Sequence, residues 1–181
     1  MFKIYTIPNY KISFSKKMEA KKSIQEQRLR NIEITNYNSK YDQSFYELNK
    51  SWIEEFWMLE DSDLKDLLKP EESIIELGGE IFFALANGIV VGTAAMIPFP
   101  NSKIELAKMT VQKEYRGKGL SKKLLKKCID YAKASKAKEI FLISNSRLLS
   151  ARKLYDKFGF IEVDLDSNKY KRGNYKMVLR L

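Results

Sequence analysis

The run Lys108-Met-Thr-Val-Gln-Lys-Glu-Tyr-Arg-Gly-Lys-Gly-Leu-Ser121 constrains this chain more than any other stretch of it. An apolar strand ends at Val111, a short turn carries Arg116, Gly117 and Gly119, and a helical pattern starts at once behind it: Leu120, Leu124, Leu125, Cys128, Ile129 and Ala132 recur at i, i+4 spacing. A helix opening directly from a tight turn aims its unpaired N–H groups at one spot, where its dipole favours negative charge. Glycines let the backbone approach a bulky anion, and Arg116 and Lys118 add cations. The pattern suits a phosphate or pyrophosphate, although a solvated strand-to-helix turn would look the same on these residues alone. Neither common phosphate loop fits. The Walker pattern requires Lys-Ser/Thr after the last glycine, where Leu120 stands, and the dinucleotide pattern requires a glycine at Lys122.

Thirty residues further on, Ala151-Arg-Lys-Leu-Tyr155-Asp-Lys-Phe-Gly159-Phe160 forms a helix ending in Gly-Phe. Together the two segments resemble the signatures of the GNAT family of N-acetyltransferases. Arg116-Gly-Lys-Gly119-Leu-Ser121 matches Arg/Gln-x-x-Gly-x-Gly/Ala, and the second matches Ala-x-x-Leu-Tyr followed by Gly-Phe. The order strand, glycine turn, helix, strand, helix, closing hairpin also fits. Ser121 departs from the family's Gly or Ala but is small and can donate a hydrogen bond. Leu148 stands where many members carry an Asn, and Asn145 lies three residues upstream of it.

The resemblance implies a mixed α/β fold with a largely antiparallel central sheet flanked by helices, and acetyl transfer from acetyl-CoA to a primary amine of a small molecule, amino acid or peptide. It implies that the CoA pyrophosphate rests on Arg116, Gly117, Lys118, Gly119, Leu120 and Ser121, with Asn145 as a further cofactor contact. It runs the pantetheine arm along Met109, Thr110 and Val111, in a slot toward the strand at 139–144. An N–H there would polarise the thioester carbonyl. Tyr155 becomes the general acid for the leaving thiolate, since a phenol stays protonated at neutral pH. Packing alone would also account for it. Glu105, on the strand that carries the thioester, becomes the general base, with an ion pair to Lys108 or to a residue across the sheet as the alternative. Strict alternation puts Glu105, Ala107, Met109 and Val111 on one face, but a bulge usual in this strand of the family would alter the facing. A non-catalytic acyl-CoA-binding module is the competing reading.

Composition removes other classes. The chain has no histidine and a single cysteine in 181 residues, so histidine triads, most zinc sites and an internal disulfide are excluded. Cys128 reads as a core residue. The most apolar stretch, Ile81–Phe99, is cut by Asn87-Gly88, a hairpin signal, so it reads as two strands and no membrane span. No signal-peptide core follows the basic start, and cytoplasm is the default.

More than half of the net charge of +10 sits in residues 1–30, where eight lysines and arginines face Glu19 and Glu26. That segment reads as a basic extension, part helical over 17–30 or disordered, with Met18 as an alternative start. Residues 31–181 read as a single domain. A basic tail could touch nucleic acid, but no stacking or helix-turn-helix pattern supports that partner. A homodimer stays open.

Strands are expected at 32–37, 80–86, 89–96, 104–111, 139–144, 160–163 and 175–181. A helical, acidic and aromatic segment runs from Ser44 to Leu68, stopped by Pro70; the resemblance implies that its part from Tyr46 to Asp63 meets the amine acceptor, although a solvated acidic helix face with an aromatic core stripe would look the same. A turn is expected over Pro98–Ser102, and a helix over Leu148–Phe158 stopped by Gly159.

Overall fold

Strand β2 (Glu80–Ala86) is apolar along most of its length because both its faces are covered. Phe82, Ala84 and Ala86 point into one core, and Ile81, Phe83 and Leu85 into another. The computed structural model describes residues 31–166 and 169–181. The basic extension and the helix expected across 17–30 lie outside these residues.

Around β2 run β1 (Ile32–Thr35), β3 (Ile89–Phe99), β4 (Lys103–Val111), β5 (Glu139–Ser144), β6 (Ile161–Val163) and β7 (Tyr175–Arg180). They form one sheet in the order β1-β2-β3-β4-β5-β7-β6. Each neighbouring pair is antiparallel except β4 and β5, which run parallel. The expected mixed, largely antiparallel sheet flanked by helices is what the chain forms.

Helices α1 (Asp42–Glu54) and α2 (Asp61–Leu68) cover one face of the sheet; α3 (Leu120–Ala134) and α4 (Leu149–Lys157) belong to the other. The apolar stripe of α3 is buried as its spacing predicts, from Leu120 through Leu124, Leu125, Cys128 and Ile129 to Ala132. Each such leucine contributes about 1.5–3 kcal/mol of burial.

Three local readings change. The segment 44–68 is two helices, because Glu60 and Asp63 form a capping box that restarts the chain at Asp61. Strand β3 continues through Pro98 to Phe99, past the end of its ladder with β2 at Met96, so the missing Pro98 N–H breaks no bond on that side. The turn into β4 is made by Asn101 and Ser102, both at positive φ. Finally, β4 bulges. Thr93 opposes Thr110 while Ala95 opposes Ala107, and Lys108 takes up the extra residue at φ 51°.

Candidate active site

Two strands part company at the centre of the sheet. Parallel pairing of β4 with β5 covers only Lys103–Glu105 against Glu139–Phe141. Beyond it, the facing edges of both strands line a cleft of about 600 Å³. The bulge decides which side chains enter which half. Glu105 and Ala107 point toward the α1–α2 side, whereas Met109 and Val111 pack against the core under α3. The single face that strict alternation predicts is therefore split in two.

One end of the cleft is the glycine turn. Gly117 and Gly119 sit at φ 76° and 81°, and a Cβ on either would meet nothing within 4 Å. Both glycines thus face open space. The first bond that closes α3 runs from Lys123 N–H to Gly119 O at 3.2 Å. The N–H groups of Leu120, Ser121 and Lys122 find no acceptor among the described residues, and no side chain caps them. Leu120 is buried in the core and offers the cleft only its backbone.

The two cations read as anion ligands are engaged locally. Arg116 Nε donates to Val111 O at 2.9 Å, and its Nη2 stands 3.5 Å from Glu55 Oε2. Lys118 Nζ donates to Glu114 O at 2.8 Å. Backbone N–H groups are therefore what this end presents.

Met109, Thr110, Val111, Asn145 and Tyr155 line the same cleft. The Asn145 amide is used within the protein: Nδ2 donates to Arg172 O at 2.6 Å, and Oδ1 accepts from Arg147 N–H at 2.9 Å. Tyr155, on α4, leans on Phe160 with ring centroids 5.7 Å apart. Burial pushes its phenol well above the usual value, so the hydroxyl is protonated at neutral pH. That hydroxyl makes no hydrogen bond to any described residue.

At the other end stands a buried network of charge. Glu105 is 1% exposed. Its Oε2 accepts from Lys169 Nζ at 2.7 Å, and its Oε1 has no donor. The ion pair with Lys108, one alternative to a base at Glu105, does not form, because the bulge carries Lys108 elsewhere. The Lys108 ammonium lies 3.1 Å from each of Asp63 Oδ1, Asp66 Oδ2 and Tyr170 OH.

Arg172 grips both oxygens of Asp63, at 2.6 and 2.7 Å, and reaches Glu60 at 3.0 Å. Glu60 also accepts from the N–H groups of Lys171 and Arg172. Tyr170 is held neutral by burial first, and then by the charges of Glu105, Asp66 and Asp63. Trp52, Phe56 and Trp57 line the same cleft, from the end of α1 and the turn behind it.

Reasoning from sequence missed Lys108, Tyr170 and Arg172. A lysine inside an apolar strand was the available signal for the first, because a cation there requires buried partners. Nothing local announces the others. Among the described residues no cluster of His, Cys, Asp or Glu could hold a metal ion, and no helix is long and apolar enough to cross a membrane.

A mixed sheet that splits between its one parallel pair, with a glycine turn at the split, defines an acetyltransferase-type α/β fold. The family described as Acetyltransferase (GNAT) matches residues 28–160, and the chain belongs to that family. A GNAT acetyltransferase from Staphylococcus aureus Mu50 superposes with a TM-score of 0.77 at 29% identity, covering 83% of this chain and 99% of its own. The fold is shared with yncA of Salmonella typhimurium, solved with its cofactor acetyl-CoA (TM-score 0.68, 21% identity, covering 83% and 94%).

By sequence, N-acetylaspartate synthetase of Xenopus tropicalis is 33% identical over 104 residues, 56% of this chain and 37% of its own. Probable spermine N(1)-acetyltransferase of Bacillus subtilis subsp. natto is 37% identical over 91 residues, 45% and 60% of the two chains. The chain thus spans about a third of the length of the synthetases it matches.

Proposed function

We propose that this protein transfers the acetyl group of acetyl-CoA to a primary amine. The observation that carries this reading is the split between β4 and β5, which opens onto unpaired backbone N–H groups at one end and a buried carboxylate at the other. Residues 31–181 act as the catalytic domain.

In this reading the N–H groups at Gly117–Lys122 hold the pyrophosphate, and the unpaired edge of β4 around Met109–Val111 receives the arm and polarises the thioester carbonyl. The amine nitrogen attacks the carbonyl carbon, and the C–S bond breaks. The departing sulfur takes the proton of Tyr155, whose raised affinity for that proton keeps it in the donor form. The amine's proton passes to Glu105, directly or through a water, at the oxygen that lacks a donor. Asn145 serves the site by fixing the loop that bears Arg172.

A non-catalytic acyl-CoA-binding module is the second reading. The free hydroxyl of Tyr155 inside the cleft favours the enzyme. The deciding experiment follows CoA release from acetyl-CoA with a thiol reporter across pooled amines, amino acids and peptides. Amine-dependent release is expected. A rise in melting temperature with acetyl-CoA but no release from any pool would support the binding module, and no thermal shift would defeat both readings.

A further inference from the structure

Charge at the acceptor end of the cleft does not balance. Ion pairs join four carboxylates, Glu60, Asp63, Asp66 and Glu105, to three cations, Lys108, Lys169 and Arg172. Among the described residues these ion pairs leave one negative charge over. The two cleft-lining cations of this network, Lys108 and Arg172, are already committed. Lys108 directs its ammonium at Asp63, Asp66 and Tyr170, and Arg172 places both Nη atoms on Asp63 and Glu60. Two buried oxygens of the network accept no hydrogen bond, Asp66 Oδ2 and Glu105 Oε1; the first lies 3.1 Å from the Lys108 ammonium, which leaves Glu105 Oε1 the more open. A buried carboxylate oxygen without a donor is rare and marks a place for an N–H or a water.

The same cleft also carries an apolar corner from the end of α1. Trp57 stands 5.9 Å from Trp52 and 5.4 Å from Phe56 between ring centroids, so the three rings make one continuous corner. Phe56 is 49% exposed and Ile53 lies beneath. Such rings offer both apolar area and the negative π face that attracts an ammonium.

We propose that the acceptor is a primary monoamine carried on an aromatic or apolar body, and that Trp52, Phe56 and Trp57 select it. The inference rests on the acetyl-transfer reading and narrows it. One ammonium matches the one surplus negative charge, and the rings cover the body behind it. A polyamine would bring further positive charges to a wall with no carboxylate left for them. An amino acid would bring a carboxylate to a wall whose cations are already paired.

Trp52 and Trp57 are the chain's two tryptophans, so intrinsic fluorescence reads this corner directly. The full chain, with CoA present, is titrated at neutral pH with phenylethylamine, spermidine and L-aspartate. Phenylethylamine is expected to give a saturable change at a midpoint about tenfold or more below the other two, and Phe56→Ala to raise that midpoint several-fold while the acetyl-CoA thermal shift is kept. A lower midpoint for spermidine or L-aspartate would overturn the proposal. So would the absence of any fluorescence change in a chain that acetyl-CoA still stabilises. If acetyl-CoA itself gives no thermal shift, the transfer reading falls, and this one with it.

Discussion

Lys108 and Asp63 meet 3.1 Å apart with side chains 3% and 0% exposed, 45 residues apart in sequence. The pair ties the bulge of β4 to the first turn of α2, and so joins the strand proposed to carry the thioester to the helix behind the acceptor. Removing one member of a buried pair leaves an uncompensated charge. Here Asp63 faces two cations, so its loss strands both Lys108 and Arg172.

Acid should loosen the fold through this aspartate. Burial raises the Asp63 carboxyl, but the hydrogen bonds from Arg172 and the charges of Lys108 and Arg172 outweigh it and hold the group below the ordinary aspartate value. A carboxylate depressed in the folded state stabilises it above its unfolded value, about 3.9, and that contribution disappears as pH falls through the lower folded value. Denaturant titrations from neutral to acid pH should therefore show stability falling below about pH 4. In Asp63→Asn that acid dependence should shrink, while stability at neutral pH drops by about 3–5 kcal/mol.

Lys108 plays two roles that substitution can separate. Its φ of 51° is strained for any residue with a Cβ, at a cost of about 1–2 kcal/mol. Lys108→Gly relieves that strain and removes the ammonium; Lys108→Met removes the ammonium and keeps the strain. Both variants should be less stable than the parent, with Met the worse. A glycine variant as stable as the parent would mean that the backbone, and not the ammonium, sets the requirement at this position.

Gly119→Ala should cost about 1–2 kcal/mol through its positive φ and should also weaken acetyl-CoA binding, because the new methyl projects into the open space beside the α3 N–H groups. Gly88 is the control. It has the same φ of 81° and the same open surroundings, but lies at the β2–β3 hairpin away from the cleft. Gly88→Ala should lose similar stability and no affinity, so paired thermal melts and acetyl-CoA titrations separate strain from contact.

Tyr155→Phe should lower kcat about a hundredfold or more with little change in acetyl-CoA affinity, as loss of a general acid requires. Glu105→Gln should slow turnover most at neutral pH and less in alkali, where the free amine needs no base. Rates that match the parent at every pH would remove Glu105 from the chemistry.

Local signals carried the fold a long way. Asn87-Gly88 marked the β2–β3 hairpin, the spacing from Leu120 to Ala132 marked the buried face of α3, and the turn glycines marked where a backbone could meet a ligand. What stayed hidden depends on register and distance. Alternation could not show that a bulge at Lys108 sends Glu105 and Met109 to opposite faces. Nor could it show that Glu105 pairs with Lys169, 64 residues on. The restart at Asp61 was written locally, as Glu60 three residues before Asp63, but in an acidic form of the capping box that is easily read as continuous helix.

The grip of Arg172 on Asp63 spans 109 residues. As the chain leaves the ribosome, α1 and α2 emerge with their carboxylates long before the cation that completes the wall. The late arrival of that cation makes this corner a contact of high sequence separation, which closes only after its loop has been ordered. Assembly of the proposed acceptor wall thus waits on Arg172, and a nascent chain halted short of it would hold the carboxylates of α2 without the guanidinium that ties them together.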